Sequence, residues 1–226
     1  MDYKNTQYGS DGTMGKDASP AEQPVKRKHI VREYAESIII AIILALVIRT
    51  FIVQAFKIPS GSMEDTLAIG DHILVNKFMY GTKIPFVDGR YFKIRDPKRG
   101  DVIVFEYPED PSKDFIKRVI GLPGDKIQVV NKRVYVNDKL YAIPQEVHKE
   151  SDTVPAAQNP RDNFGPVMVP PNSYFMMGDN RDRSYDSRFW GVVKNEQIKG
   201  LAFIKYWSWD REKFRVRWGS IGTLIH

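Results

Sequence analysis

From Ala35 to Phe56 the chain runs for 22 residues in which only Glu36 and Arg49 are charged. The unbroken apolar core of this stretch, Ile38 to Ile48, is too short alone to cross a hydrocarbon layer of ~30 Å, but the full stretch reaches roughly 33 Å as a helix. Arg49 stands late enough to extend its charge to the far headgroups. Lys26, Arg27, Lys28 and Arg32 precede the run, which is also the layout of a cleavable signal peptide. The residues that follow, Arg49-Thr50-Phe51-Ile52-Val53, are bulky and offer no A-x-A site, so an uncleaved anchor over residues 34–56 is the expectation. The basic flank lies on the amino-terminal side, with Arg49 and Lys57 on the other, which predicts a cytoplasmic tail over residues 1–33 and an extracytoplasmic domain over 57–226.

Residues 1–25 hold scarcely an aliphatic side chain and cannot bury enough surface to offset ordering entropy, so a disordered tail is expected. The remaining length suits one globular domain. The formal charge of +6 is a modest excess and does not by itself imply nucleic acid. With no cysteine, disulfides, thiolate metal sites and cysteine nucleophiles are excluded, which leaves Ser, Thr, Lys or a carboxylate for any covalent chemistry.

Beyond the anchor the pattern is that of β structure. Short β-branched or aromatic runs bounded by turn residues stand at His72–Asn76, Val102–Tyr107, Phe115–Ile120, Ile127–Val130, Arg133–Val136, Tyr174–Met177, Leu201–Trp207 and Phe214–Trp218. Asn131-Lys132 and Asn137-Asp138 read as hairpin reversals in an antiparallel meander. Residues 143–172, with six prolines and few aliphatics, read as a surface excursion or flexible insertion.

Three segments carry polar residues that a bland β domain does not need. Pro59-Ser60-Gly61-Ser62-Met63 combines a rigid residue, a permissive one and two hydroxyls, either ordinary loop or a turn that exposes a nucleophile. In Phe115-Ile116-Lys117-Arg118-Val119-Ile120, alternation puts each of the two adjacent cations on a face with apolar neighbours. Either both snorkel from an edge strand or one is partly buried; a buried arginine stays charged and needs a carboxylate, whereas a buried lysine can lose its proton and act as a base. From Gly178 to Gly191, interleaved Asp and Arg suit a solvated loop or a buried ion-pair scaffold. A calcium loop fits poorly, because Ser187 falls where the required glycine belongs. Of the four histidines His72 alone remains for a Ser-His-Asp site, and at a strand start it reads as structural; HExxH, Walker A, GxGxxG and S-x-x-K are absent.

Taken in order after a single anchor, the motifs Ile58-Pro59-Ser60-Gly61-Ser62-Met63 with Thr66-Leu67, Lys117-Arg118 with Gly121-Leu122-Pro123-Gly124-Asp125, and Gly-Asp-Asn-Arg-Asp-x-Ser-x-Asp-Ser-Arg-x-Trp-Gly from Gly178 resemble bacterial type I signal peptidases. The resemblance implies a mostly β fold of two antiparallel sheets on one transmembrane helix, at the outer face of the bacterial inner membrane. It implies Ser62 as nucleophile, Lys117 as general base, and an oxyanion hole of the Ser62 N–H and the Ser60 hydroxyl. Ser184 would orient Lys117, Asp179 would pair with Arg118, and Asp186 with Arg188. Phe56, Ile58, Met63, Leu67, Phe115 and Ile116 would wall pockets for small substrate residues at positions −1 and −3. Preproteins and the lipid bilayer are the implied partners, with no cofactor, metal or nucleic acid. Asp65 stands where the family usually has proline, and is expected to cap a short turn.

Overall fold

The computed structural model describes residues 27–81 and 89–226; the expected disordered tail lies, up to residue 26, outside the described residues. Among the described residues the chain divides into two units, one ending at Ile42 and one running from Ile43 to His226. Helix α1, Arg27–Val47, begins in the first unit, and one wider turn, Ile48–Ile52, prolongs it in the second. The helical stretch Ile30–Ile52 is 23 residues, long and apolar enough to cross a membrane. The helix ends earlier than the sequence suggests, because Val53–Phe56 belong to a strand. Val-Gln-Ala-Phe extends an apolar run and also fits β alternation, and pairing with a neighbouring strand decides between the two.

The strands follow as β1 Val53–Lys57, β2 Asp71–Asn76, β3 Val102–Tyr107, β4 Asp110–Gly121, β5 Lys126–Val130, β6 Arg133–Val136, β7 Lys139–Leu140, β8 Phe164–Met168 and β9 Ser173–Met177. A single helical turn, α2 Ser187–Trp190, precedes β10 Val193–Lys194, β11 Ile198–Asp210 and β12 Arg215–Val216. The larger sheet has the order β1-β2-β11-β3-β4-β9-β10, with β12 on β11, and the smaller the order β7-β6-β5-β8. Among the described residues the strand pairings of both sheets are antiparallel, so the fold is mostly β with one amino-terminal apolar helix.

The alternation in β2 and the near-continuous burial of β3 and β9 put their apolar residues into three clusters. Asn131-Lys132 and Asn137-Asp138 close two-residue hairpins with both residues at positive φ, a conformation asparagine and aspartate tolerate better than most. Strand β4 changes its surroundings along its length. Val102 to Phe105 of β3 flank Arg118 to Phe115 on one side, whereas β9 flanks only Arg118 to Gly121 on the other. Residues 113–117 therefore present, among the described residues, an edge unpaired by any strand.

Two expectations are corrected. Residues 143–172 are not merely a flexible insertion, since β8 pairs with β5 and Asp162 is 1% exposed, held by Arg161 and the Val154 N–H. Pro166 is accommodated because β8 is a sheet edge. The strand expected over Phe214–Trp218 shortens to Arg215–Val216, followed by a helical turn at Trp218–Ser220.

Candidate active site

Strand β1 leads into a loop closed at its base, where the Ile58 N–H donates to the Asp71 carbonyl (2.8 Å) and the Gly70 N–H donates to the Ile58 carbonyl (3.0 Å). Ile58, Met63 and Leu67 pin the loop to the core at 2%, 0% and 0% exposure. Between these anchors Ser60 is exposed, while Ser62 retains 7% of its surface. The apolar residues thus fix a turn whose intervening hydroxyls must point elsewhere.

Lys117 stands on β4 opposite Ile103 of β3. Its Nζ donates to Ser62 Oγ at 2.6 Å and lies 5.6 Å from the centre of the Phe115 ring, two residues earlier on the same face. Burial lowers the Lys117 pKa to about 8. Asp186 and Asp179 oppose that shift and Arg188 supports it, but each carboxylate is matched by its own arginine, so desolvation prevails.

Arg118 turns to the opposite face of β4. Its Nε and Nη2 donate to the two Asp179 carboxylate oxygens at 2.7 and 2.6 Å, and Nη1 donates to the Gly100 carbonyl at 2.7 Å. Thr66 Oγ1 donates to the same carboxylate at 2.6 Å, which links the Ser62 loop to β4 through Asp179. On the far side of the loop, Arg188 donates twice to Asp186, each at 2.8 Å, and the Gly178 N–H donates to Asp186 at 3.1 Å. Both ion pairs are almost wholly buried, and their hydrogen bonds satisfy charges that burial would otherwise expel.

Ser184 Oγ is buried without a hydrogen bond of normal geometry, close enough to Asp186 to help hold its carboxyl down. No hydrogen bond joins it to Lys117. Gly178 explains how these parts fit together: a Cβ there would stand 2.3 Å from Ser184 Oγ and 2.4 Å from the Ser62 carbonyl oxygen. Asn180 adds a further link, donating from its backbone N–H to the Ser62 carbonyl (3.2 Å) and from Nδ2 to the Gly61 carbonyl (3.3 Å). Sequence reasoning gave Gly178, Asn180 and Thr66 no role, although all three lie inside the quoted motifs.

The 143–172 excursion braces the same loop. Glu146 is 2.8 Å from Arg181, the Val147 N–H donates to the Asp179 carbonyl (2.9 Å), and Asp182 accepts from the Lys149 and Glu150 N–H groups and from Lys132 Nζ.

A cleft of about 510 Å³ opens over Ser62 and Lys117. Ser60, Phe115 and Ile116 line it, together with Asp114, Asn180 and Tyr185. The expected wall residues divide: Ile58, Met63 and Leu67 are core rather than cleft, and Phe56 packs against that core. Their hydrophobicity serves the loop's attachment. Asp65 does not cap a turn; its side chain is 75% exposed, 3.5 Å from Lys149 Nζ.

Residues 31–207 match the family model described as signal peptidase, peptidase S26. A signal peptidase I from Pseudomonas fluorescens is 37% identical over 236 residues, covering 89% of this chain and 81% of its own length. One from Pseudomonas aeruginosa is 38% identical, covering 84% and 78%. A crystal structure of a signal peptidase I from Enterococcus faecalis aligns with a TM-score of 0.39 at 30% identity, over 48% of this chain and 98% of the other. With the model spanning most of the chain and both Pseudomonas relatives aligned across most of their length, the chain belongs to the signal peptidase family, peptidase S26, and is a serine endopeptidase.

Proposed function

We propose that this chain is anchored in the bacterial inner membrane by Ile30–Ile52, amino terminus in the cytoplasm, and removes signal peptides from exported preproteins with a Ser62–Lys117 dyad. The observation that carries the reading is the 2.6 Å contact between Lys117 Nζ and Ser62 Oγ in a nearly dry pocket. A lysine held at about 8 is neutral in a useful fraction of molecules near neutrality, unlike a free one at ~10.4.

Neutral Lys117 takes the Ser62 proton as Oγ bonds to the scissile carbonyl carbon, and the carbonyl π electrons move to oxygen. The Ser62 N–H and the Ser60 hydroxyl stabilise that oxyanion. Collapse re-forms the carbonyl and breaks the C–N bond, and Lys117 returns the proton to the departing amine. Water, deprotonated by Lys117, then bonds to the acyl carbon, and as the C–Oγ bond breaks Lys117 returns that proton to Ser62 Oγ and the signal peptide leaves as its carboxylate. Ser184, which stands beside Asp186 and makes no hydrogen bond to Lys117 at rest, is assigned to orient the amine during turnover, while the Arg118–Asp179 and Arg188–Asp186 pairs hold the surrounding loops.

The open edge of β4 at residues 113–117 offers backbone groups to an extended substrate, with Phe115 and Ile116 beside it. Apolar walls this close to the nucleophile favour small residues at −1 and −3. The deciding experiment is preprotein processing by purified Ser62→Ala and Lys117→Arg variants. Loss in both supports the dyad; near-normal turnover in either refutes it.

A further inference from the structure

A second pocket, of about 220 Å³, is lined by Gln54, Lys77, Arg90, Glu106, Ile198 and Lys199 among others. Among the described residues, three cations and one carboxylate line it. Lys199 is paired with Asp114 at 2.7 Å and sits 3.8 Å from Glu106. Lys77 and Arg90 form no ion pair among the described residues.

Arg90 spends its terminal nitrogens on carbonyls, Nη1 on Gly81 (2.8 Å) and Nη2 on Asn195 (3.0 Å) and Ile198, while its Nε is buried without a partner. Lys77 has one acceptor, the Thr50 carbonyl at 2.6 Å. Burial and the like charge of Lys199 both lower the Lys77 pKa, which is repulsion that an anion would relieve.

We infer that this pocket binds a phosphate oxyanion, and that the headgroup of a membrane phospholipid supplies it. The donors suit the chemistry: the Lys77 ammonium, one unspent guanidinium N–H of Arg90 and the Gln54 amide belong to residues lining one pocket, with Lys199, shared with Asp114, as a further cation. The position selects the source. Gln54 comes two residues after Ile52, and the Lys77 backbone N–H donates to the Ile52 carbonyl (2.9 Å), so the pocket adjoins the end of the apolar helix. If Ile30–Ile52 spans the bilayer, a reading on which the choice of source rests, that end lies at headgroup depth.

The test is the acetylation rate of Lys77, read by mass spectrometry on the full chain in a neutral maltoside detergent. Short-chain dihexanoylphosphatidylglycerol and inorganic phosphate are added separately at matched concentration. An anion that raises the Lys77 pKa by one unit cuts its reactive neutral fraction about tenfold. The lipid is expected to slow Lys77 by about that factor, with exposed Lys213 unchanged as internal reference. Gln54→Glu, which sets a carboxylate in the pocket from a half-buried strand position, is expected to abolish the effect. Protection by the lipid and not by phosphate supports the inference in full. Equal protection by both supports the oxyanion site and assigns it to soluble phosphate. Protection by neither, or protection that survives Gln54→Glu, overturns it. The measurement uses neither catalysis nor membrane insertion, so its failure is distinct from failure of the proposed function.

Discussion

Arg118 and Asp179 meet through two parallel hydrogen bonds of 2.7 and 2.6 Å, at 2% and 1% side-chain exposure. The pair ties the residue that follows Lys117 to the loop that carries Ser184, so its geometry is transmitted to both sides of the cleft.

Removing one partner leaves an uncompensated buried charge. Asp179→Ala is expected to destabilise the protein by about 3–5 kcal/mol, whereas the double variant Arg118→Met with Asp179→Leu recovers most of that loss. Denaturant titration of the single and double variants checks the difference; equal losses in both would show that the cost lies in the pair's own hydrogen bonds and not in a stranded charge.

Lys117 must be neutral to accept a proton, so kcat/KM is expected to rise about tenfold per pH unit below about 8 and to level above it. The same shift acts on stability with a definite sign. Between about 8 and the unfolded value of ~10.4 the unfolded chain binds the extra proton, so Lys117 costs stability below about 8 and that cost fades as pH rises through the window. Lys117→Met is therefore expected to be inactive yet about 1–3 kcal/mol more stable below pH ~8. A melting temperature lowered by this substitution would contradict the assignment.

Ser60 is exposed at the cleft and held by no core contact, so Ser60→Ala leaves the fold intact. An oxyanion donor acts on the transition state, and kcat is expected to fall by about 10²-fold with KM little changed. Ser60→Thr keeps the hydroxyl and most of the activity. A change confined to KM would make the hydroxyl a binding contact instead.

Gly178→Ala would drive a methyl to within 2.3 Å of Ser184 Oγ and 2.4 Å of the Ser62 carbonyl. The loops must part, at a cost of about 1–3 kcal/mol, and Ser62 moves with them. Activity is expected to fall further than stability; unchanged turnover would show the Ser62 loop to be free of this contact.

A chain beginning at Val53 keeps β1, which pairs with β2 across all five of its residues, and is expected to cleave short peptides normally. Its rate on membrane-embedded preproteins falls, because tethering no longer concentrates enzyme and substrate in one bilayer. A preprotein-to-peptide ratio equal to that of the full chain would remove any role for the tether in presentation.

Strands β3, β5 and β6 were legible because β-branched residues run between sharp turn signals. Strand β1 was not, since its residues continue the apolar run, and β8 was hidden by a glycine and a proline that only an edge tolerates. At the site, the three motifs name nearly every charged participant. What they omit is set by contacts far apart in sequence, such as Thr66 with Asp179, 113 residues away. Hydrophobicity alone also could not separate Phe115 and Ile116, on the cleft, from Ile58, Met63 and Leu67, under it.

The half-open strand β4 carries a hazard along with its use. An edge able to receive one extended chain is a template for any other, including a second copy of this protein. Charged residues on exposed edges discourage such pairing, and β4 places Lys113 and Asp114 there, tied respectively to Asp110 (2.8 Å) and Lys199 (2.7 Å). These charges suit gatekeepers against aggregation, set on the stretch of sheet that the proposed mechanism needs to stay unfinished.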